Sequence, residues 1–302
     1  MEPVYIIGAG AIGKVLAVCL SNNGKTAILL HGSVDNGETR RENIRVRVPS
    51  RHIIEAEVTI DSICNYCSLE GLIVLCNKSY GNKALANTLQ AKIGTSPLVL
   101  LQNGLGVEEA FMDFAAVYRG VLFVTSQPLS NTEINFKPVM VSPIGRITGG
   151  DEASLRKITA VLNTPDFGFR AELTIQPIIW EKAIINSVFN SVCPLLDTDN
   201  GIFHRIPQAL QIAEGLVAEC LGVAARNGVH LNLTEVMGSL LMISRASDGQ
   251  FISTLQDIRN RRPTEIATLN LAIAGMAPTE QEIIQTHLLG QLTLLKSKIA
   301  QS

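Results

Sequence analysis

The stretch from Val4 to Gly13, which reads VYIIGAGAIG, decides the fold of this chain. Its first four residues, Val4 to Ile7, are all apolar, as in a parallel strand that is buried on both faces. Gly8, Gly10 and Gly13 then form a GxGxxG pattern between this strand and a predicted helix. In that context the first glycine permits a tight turn, and the second lets the backbone approach a pyrophosphate. The third lets the helix pack closely on the strand, so the stretch predicts a dinucleotide-binding turn.

Strands and helices alternate through the first half of the chain, and helices alone follow. Predicted strands are Val4 to Ile7, Ala27 to Leu30, Gly71 to Cys76, Pro97 to Leu101, Val121 to Ser126 and Val139 to Ile144, and predicted helices are Ile12 to Asn23, Asn82 to Lys92 and an acid-capped Asp151 to Leu162. Later helices are predicted over Ile178 to Val192, Pro207 to Asn227, Leu233 to Ser244, Thr264 to Ala274 and Glu280 to Lys298. This pattern predicts an α/β protein: a Rossmann domain over residues 1–170, followed by an all-α domain over residues 171–302.

The composition limits the classes of partner. The chain has 302 residues with 25 basic and 27 acidic side chains, and its longest basic cluster, Arg259 with Arg261 and Arg262, is too short for a nucleic-acid surface. No apolar run approaches the roughly 18–20 residues of a membrane helix, and the first residues do not resemble a signal peptide. We therefore expect a cytoplasmic protein without nucleic-acid or membrane partners.

The six cysteines are scattered, which fits a reducing compartment. Cys64 and Cys67 form a CxxC pair, but no second pair or nearby histidine accompanies them. We interpret the pair as structural or incidental, and no metal site is expected.

The end of the second predicted strand bears on the choice of cofactor. NAD-preferring sites place a carboxylate there to bind the ribose 2′-hydroxyl, but this chain has LLHGS at residues 29–33, and Asp35 comes late. The missing carboxylate removes the repulsion that would exclude a 2′-phosphate. Side chains able to contact such a phosphate are His31, Ser33, and Arg40 or Arg41. The sequence therefore favours NADP(H).

A polar stripe marks the first helix of the second half. Lys182, Asn186 and Asn190 are spaced by four residues within the segment WEKAIINSVFN, so they share one face of an otherwise apolar helix. Such a face is either solvated or forms the wall of a cleft that holds a polar substrate and a lysine proton donor. Two asparagines are poor helix formers for a plain surface, which favours the cleft.

Two further segments carry polar side chains at informative places. QNGLG, at Gln102 to Gly106, follows a predicted strand at its carboxyl end, where open α/β sheets bind ligands. The segment from Phe251 to Asp257 leads toward Thr264 and Glu265, which are predicted to open a helix. Glu265 there would have the structural role of compensating the helix dipole.

Taken together, these motifs resemble the ketopantoate reductase family, the 2-dehydropantoate 2-reductases. The resemblance runs along nearly the whole chain in order: GAGAIG at Gly8 to Gly13, NKSY at Asn77 to Tyr80, QNGLG at Gln102 to Gly106, WEKAIINSVFN at Trp180 to Asn190, NG at Asn200 and Gly201, STLQD at Ser253 to Asp257, and TEI at Thr264 to Ile266.

The resemblance implies a function and a set of roles. The family reduces 2-dehydropantoate to D-pantoate with NADPH, on the route to pantothenate and coenzyme A, in a cleft between its two domains. Lys182 matches the catalytic lysine and Glu265 an acidic residue near the reacting centre. Substrate contacts match Asn103, Asn186, Asn190, Asn200 and Ser253, and cofactor contacts match Lys78, Asn103 and the glycine-turn residues Gly8, Ala9, Gly10, Ala11, Ile12 and Gly13. His31, at the end of the second predicted strand, is a further candidate cofactor contact.

The sequence departs from the family pattern at three positions. His31 stands where members often have arginine, and Ala267 and Leu271 stand where they usually have Asp and Gly. A relative that reduces a different small 2-oxo acid therefore remains an alternative, as does a non-catalytic dinucleotide-sensing protein. The apolar surface of the helical half permits a homodimer, and a monomer is equally permitted.

Overall fold

A computed structural model of the chain describes residues 2–32, 36–49 and 52–302. The chain divides into two compact units. The first comprises Met1–Gln102 and Val107–Ile175, and the second comprises Asn103–Gly106 and Gln176–Ser302.

One mixed sheet forms the frame of the first unit. Within the described residues its strands are β1 (Val4–Ile7), β2 (Ala27–Leu30), β3 (Arg40–Arg47), β4 (Ile53–Asp61), β5 (Leu72–Leu75), β6 (Leu98–Leu100), β7 (Ala116–Gly120), β8 (Val124–Pro128), β9 (Glu133–Pro138), β10 (Ser142–Gly149) and β11 (Phe169–Ala171). They lie in the order β11-β10-β7-β6-β5-β1-β2-β4-β3-β9-β8.

The centre of this sheet is a Rossmann fold. Strands β4, β2, β1, β5, β6 and β7 run parallel to one another, and in chain order they have the 3-2-1-4-5-6 arrangement of dinucleotide-binding domains. The helices that accompany the sheet in the described ranges are α1 (Ala11–Asn22), α2 (Asn82–Gln90) and α3 (Glu152–Leu162). The side chains of β1 alternate between two cores, since Val4 and Ile6 belong to one and Tyr5 and Ile7 to the other. The predicted Rossmann architecture is confirmed.

The sequence does not predict several of the strands, because their residues are not uniformly apolar. In β3, which reads RRENIRVR, only Ile44 and Val46 are buried, and the charged residues around them are mostly exposed. Strands β4, β7, β9 and β11 were also not predicted. The strands predicted from Val121 and from Val139 begin late, at Val124 and Ser142. The N–H groups of Val139 and Met140 both donate to the carbonyl of Phe123 at the end of the β8–β9 pairing, so this segment belongs to that end and β10 begins only at Ser142.

The second unit is helical, as predicted. Its helices are α4 (Gln176–Leu195), α5 (Ile202–Arg205), α6 (Pro207–Arg226), α7 (Leu233–Ala246), α8 (Ser253–Arg259), α9 (Asn270–Gly275) and α10 (Ile284–Gln301). The central helix is α4, which packs against α6, α7, α8, α9 and α10. None of the helices in the described part of the chain is long and apolar enough to cross a membrane.

The helix predicted from Thr264 to Ala274 is wrong as a continuous element. Thr264 and Glu265 precede a short 3₁₀ helix, Ile266–Thr268. The helical conformation is then interrupted at Leu269, before α9 begins. Glu265 therefore does not lie in the first turn of an α-helix, and a role in compensating a helix dipole loses its basis. The acidic cap predicted at Asp151 is confirmed, since its carboxylate accepts a hydrogen bond of 2.7 Å from the N–H of Ser154.

Candidate functional site

The glycine turn has the geometry that a pyrophosphate needs. A Cβ atom at Gly8, whose φ is +119°, would overlap the backbone of Asn77, and one at Gly13 would overlap the carbonyl oxygen of Gly8. A Cβ at Gly10 would meet no described atom within 4 Å, so this glycine leaves open space above the turn. Gly10 is also the N-cap of α1, where no side chain caps the first N–H groups. Unsatisfied N–H groups and the helix dipole both favour an anion here, so the turn fits a dinucleotide phosphate.

A buried acceptor lies beside the same turn. The side-chain nitrogen of Asn77 donates to the carbonyl of Lys78 at 3.0 Å, whereas its oxygen has no hydrogen-bond partner among the described residues. Buried polar atoms are normally paired, so this oxygen fits a donor such as a ribose hydroxyl. Lys78, a predicted cofactor contact, follows directly and is half-buried before the 3₁₀ helix Ser79–Gly81.

Of the residues predicted to contact a 2′-phosphate, the structure brings His31 and Arg40 together. Arg40 Nη1 lies 3.2 Å from Nε2 of His31, which follows the carboxyl end of β2. Arg41 points elsewhere and pairs at 3.2 Å with Glu57 on an exposed surface. Ser33 and Asp35 lie outside the described residues. The fold thus singles out Arg40 from the two arginines that the sequence left open.

The carboxylate of Asp61 lies on the strand beside His31, but it already accepts hydrogen bonds from neighbouring residues. Asp61 ends β4, and its backbone carbonyl accepts the N–H of His31. Burial by itself raises the pKa of the Asp61 carboxyl, but hydrogen bonds from Thr39, Asn65, Tyr66 and the Ser62 N–H outweigh it and hold that pKa below its ordinary value. Asp61 therefore has a structural role in anchoring the segment that leads to Arg40.

The sequence did not reveal a buried amide pair that supports the ends of β5 and β6. Asn82 and Gln102 exchange two hydrogen bonds of 2.8 and 2.7 Å through their side-chain amides. Gln102 also donates to the carbonyl of Asn77 at 2.9 Å, and Asn82 donates to that of Val107 at 2.8 Å. These bonds fix the backbone on both sides of residues 103–106.

A buried ion pair adds to the same support. The guanidinium of Arg119, only 2% exposed, pairs with Glu108 and donates to the carbonyl of Gln102. Burial lowers the pKa of Arg119, and Glu108 opposes that change. Nothing in the local sequence of β7 signals this contact, because Glu108 lies in the segment between β6 and β7 and meets Arg119 only in the folded unit.

In the second unit, the polar stripe of α4 is not a solvated face. Lys182 and Asn186 are half-buried and Asn190 is buried, whereas the residues between them lie in the helical core. The amide nitrogen of Asn190 donates to the carbonyl of Asn186 at 2.9 Å. An amide and an ammonium are retained in such surroundings only where they find polar partners.

Two of the predicted substrate contacts are in direct contact with each other. The Ser253 hydroxyl donates to the side-chain oxygen of Asn190 at 3.3 Å, and the N–H of Thr254 donates to the same oxygen. Ser253 is exposed at the start of α8, so its oxygen remains accessible as an acceptor. The fold thereby joins the STLQD segment to the α4 stripe.

Asn200 offers a buried acceptor in the same unit. Its amide nitrogen donates to the Ser247 hydroxyl at 3.3 Å, and its backbone carbonyl accepts the Ser244 hydroxyl at 2.7 Å. The side-chain oxygen has no hydrogen-bond partner among the described residues, and neither has the Thr264 hydroxyl oxygen. A buried unpaired oxygen such as that of Asn200 fits a hydroxyl donor of a ligand.

The Asn103–Gly106 segment packs against the loop that carries Glu265. The N–H of Leu105 donates to the carbonyl of Thr268 at 2.8 Å, and a Cβ at Gly104 would overlap that same oxygen. Thr268 in turn donates through its N–H and its hydroxyl to the carbonyl of Glu265, both at 3.0 Å. The 3₁₀ helix Ile266–Thr268 packs against α4. Asn103 and Glu265 are thus carried by neighbouring segments, and both side chains are half-buried.

The two units carry different chemistry. The first presents a glycine turn, a helix N-terminus and a pair of basic side chains, which suit a phosphorylated dinucleotide. The second presents an ammonium, several amides and hydroxyls, which suit a compact polar substrate. In the described residues, no group of three or more His, Cys, Asp or Glu side chains could hold a metal ion.

Comparisons with known proteins agree on one family. Residues 4–146 match the family model described as ketopantoate reductase PanE/ApbA, and residues 174–288 match the model for its C-terminal part. A relative from Pyrococcus abyssi, named 2-dehydropantoate 2-reductase, is 26% identical over 283 residues, which cover 91% of this chain and 90% of that protein.

Solved structures share the fold over the whole length. A dimeric ketopantoate reductase from Staphylococcus aureus superposes with a TM-score of 0.80 at 18% identity, covering 99% of both chains. A D-mandelate dehydrogenase solved with NADH and anilino(oxo)acetate superposes with a TM-score of 0.85 at 21% identity, again covering 99% of both chains.

The parallel strands at the centre of the sheet and the glycine turn define the dinucleotide-binding class of proteins. Within that class, the chain belongs to the ketopantoate reductase PanE/ApbA family, because the two family models together match most of its length.

Proposed function

We propose that the protein reduces a 2-oxo acid with NADPH, and that its substrate is 2-dehydropantoate, which becomes D-pantoate. The observation that carries this proposal is the half-buried polar face of α4, where Lys182 lies on the same face as Asn190, which binds Ser253. Family membership and the name of the P. abyssi relative support the same reaction.

The chemistry of the reaction fits these residues. When bound, the cofactor supplies a hydride to the carbonyl carbon of the substrate. Negative charge then builds on the carbonyl oxygen, and the Lys182 ammonium stabilises that charge and donates the proton that completes the hydroxyl group. The turn from Gly8 to Gly13 holds the pyrophosphate, with Lys78 and Asn103 as further cofactor contacts.

The remaining candidate residues orient the substrate. Ser253, fixed by Asn190, is proposed to bind the substrate carboxylate. The unpaired oxygen of Asn200 suits a substrate hydroxyl as donor, and Asn186 extends the same polar face. Glu265, near the 103–106 segment, is proposed to act close to the reacting centre. Orientation by several such bonds supplies a large part of the rate enhancement in enzymes of this kind.

A different small 2-oxo acid is the second candidate substrate. Ala267 is exposed where the family pattern has Asp, and the side chain of Leu271 fills the space beside Gly290, where a Cβ would come within 2.9 Å of Leu271 Cδ2. An alanine removes a charge from the loop that carries Glu265, and a leucine in place of glycine adds bulk two residues before the buried Ile273. Both changes favour a substrate of altered shape.

Steady-state oxidation of NADPH with 2-dehydropantoate, followed at the nicotinamide absorbance with NADH in parallel, tests the proposal. We expect turnover with NADPH and much weaker turnover with NADH. Tight NADPH binding with turnover of other 2-oxo acids only would favour the second candidate. Binding without turnover of any 2-oxo acid would favour a non-catalytic nucleotide sensor.

Arg40 is expected to set the preference for NADPH. Arg40→Ala removes the guanidinium beside His31 and should weaken NADPH binding about 10–100-fold, the typical value of a charge-assisted phosphate contact, while NADH binding changes little. The control is Arg41→Ala, on the next residue of β3, whose side chain pairs with Glu57 instead. Dissociation constants for both cofactors measure the effect, and an equal loss for NADPH and NADH would contradict a 2′-phosphate contact.

A further inference from the structure

Arg40, the arginine beside His31, is held by a carboxylate on its own strand. Its Nε atom donates to Oε1 of Glu42 at 2.6 Å. The two residues are two positions apart on β3, so they lie on the same face of the strand. The same face carries Ile44 and Val46, which are buried in the core. Arg40 therefore lies at the outer end of a row of side chains whose other end is fixed by packing.

Glu42 is less exposed than the arginine that it holds. Its side chain is 19% exposed, against 45% for Arg40. Its second carboxylate oxygen, Oε2, lies 3.5 Å from Nζ of Lys14. Burial by itself raises the pKa of the Glu42 carboxyl, but the hydrogen bonds and charges of Arg40 and Lys14 outweigh it and hold that pKa below its ordinary value. Glu42 is therefore ionised at neutral pH and pairs with two cations.

Lys14 joins this carboxylate to the helix that follows the glycine turn. It comes directly after Gly13 in α1, and only 12% of its side chain is exposed. Besides pairing with Glu42, its ammonium donates at 2.5 Å to the carbonyl of Asn131, which lies between β8 and β9. Lys14 and Glu42 thus link three elements of the first unit, namely α1, β3 and the turn from β8 to β9. These links fix the Glu42 carboxylate relative to the glycine turn.

The contact with Glu42 sets the direction of the remaining Arg40 donors. A guanidinium is planar and carries its N–H groups in a rigid fork, so a bond at Nε also orients the two terminal nitrogens. Nη1 is directed to Nε2 of His31, at 3.2 Å. Because a guanidinium only donates, His31 accepts through Nε2 and carries its proton on Nδ1. Glu42 therefore presents the Arg40 fork at the carboxyl end of β2, where this fold binds the ribose of a dinucleotide.

We propose that Glu42 is a positioning residue for cofactor preference, which holds the Arg40 guanidinium ready to bind the 2′-phosphate of NADPH. This role rests on the proposed use of NADPH and adds the group that orders the arginine beforehand. A long, half-exposed side chain loses conformational freedom when it binds a phosphate, and ordering by Glu42 lowers that cost. Because Arg40 and Lys14 both pair with the Glu42 carboxylate, its repulsion of the phosphate is offset.

Dissociation constants of NADPH and NADH, measured on variants of the full chain, test this role. Glu42→Ala should raise the NADPH dissociation constant about 3–10-fold, the cost of ordering one long side chain on binding, and leave the NADH constant unchanged. Glu42→Gln keeps an oxygen that accepts from Nε of Arg40, so its loss should be smaller. In an Arg40→Ala background, Glu42→Ala should have no further effect, because the group that it positions is gone.

Glu57→Ala is the matched control, because Glu57 pairs with Arg41 on an exposed surface of the same two strands. It should change neither constant, and thermal melting should show that every variant is folded. Three results would each overturn the positioning role: equal losses for NADPH and NADH, a loss that persists in the Arg40→Ala background, or tighter NADPH binding by Glu42→Ala.

Failure of the cofactor assignment gives a different result. A wild-type chain that binds NADPH no better than NADH, or an Arg40→Ala chain with unchanged NADPH affinity, would overturn the 2′-phosphate contact itself and the role of Glu42 with it.

Discussion

Lys182→Ala is expected to lower kcat for 2-oxo-acid reduction by about 10³–10⁴-fold, because general acid catalysis and stabilisation of the developing charge are lost together. NADPH binding should persist, since the glycine turn and Arg40 lie in the other unit. The two readouts are kcat from NADPH oxidation and the NADPH dissociation constant from nicotinamide fluorescence.

Two comparisons make this result specific. Lys157→Ala removes an exposed lysine on α3 and should leave kcat unchanged. Lys182→Arg retains the positive charge but replaces a compact ammonium with a planar guanidinium that does not readily release a proton, so it should retain substrate binding and little turnover. If Lys182→Ala reduced turnover, cofactor binding and thermal stability to the same degree, its role would be structural.

Substitutions in the glycine turn give the second large effect. Alanine at Gly10 is expected to weaken cofactor binding, whereas alanine at Gly13 is expected to lower the stability of the fold as well. Gly10→Ala should raise the NADPH dissociation constant by about 10–100-fold, since a methyl group there would occupy space needed by the pyrophosphate and cost one or two charge-assisted hydrogen bonds. The unliganded protein should lose less than about 1 kcal/mol, the penalty of alanine as an N-cap, because that methyl group meets no described atom within 4 Å.

Gly13→Ala is the contrasting variant. Its Cβ would overlap the carbonyl oxygen of Gly8, so the strand and α1 must separate. We expect a loss of about 1–3 kcal/mol in the free energy of unfolding, the usual cost of overpacking, together with weaker binding. Chemical denaturation and cofactor titration on both variants separate the two effects. Unchanged NADPH affinity in a folded Gly10→Ala protein would argue against a pyrophosphate at this turn.

Much of the fold followed from local sequence patterns. The run from Val4 to Ile7, the glycine turn and the alternation that follows it predicted a Rossmann sheet, since a strand buried on both faces must be apolar throughout. The spacing of apolar residues in the second half likewise predicted a helical unit. Strands such as β3 are not predicted, because charged residues on the exposed face of a strand interrupt its apolar pattern. The strands that pair with β3 are also fixed only by the folded sheet.

Only part of the candidate site could be predicted from the sequence. The spacing of Lys182, Asn186 and Asn190 placed them on one face of a helix, because helical geometry is local. The contact of Asn190 with Ser253 joins residues 63 positions apart, and no spacing rule predicts it. The break at Leu269, which moved Glu265 out of a predicted helix, also depends on the surroundings of that loop.

By itself, the sequence determined the fold class, the glycine turn and the polar stripe of α4, because each depends on neighbours within about one strand or two helical turns. Only the tertiary structure decided which arginine meets His31 and how Asn82, Gln102, Glu108 and Arg119 support the turn after β6. Those features depend on segments far apart in the chain, and their positions are fixed by the packing of the whole unit.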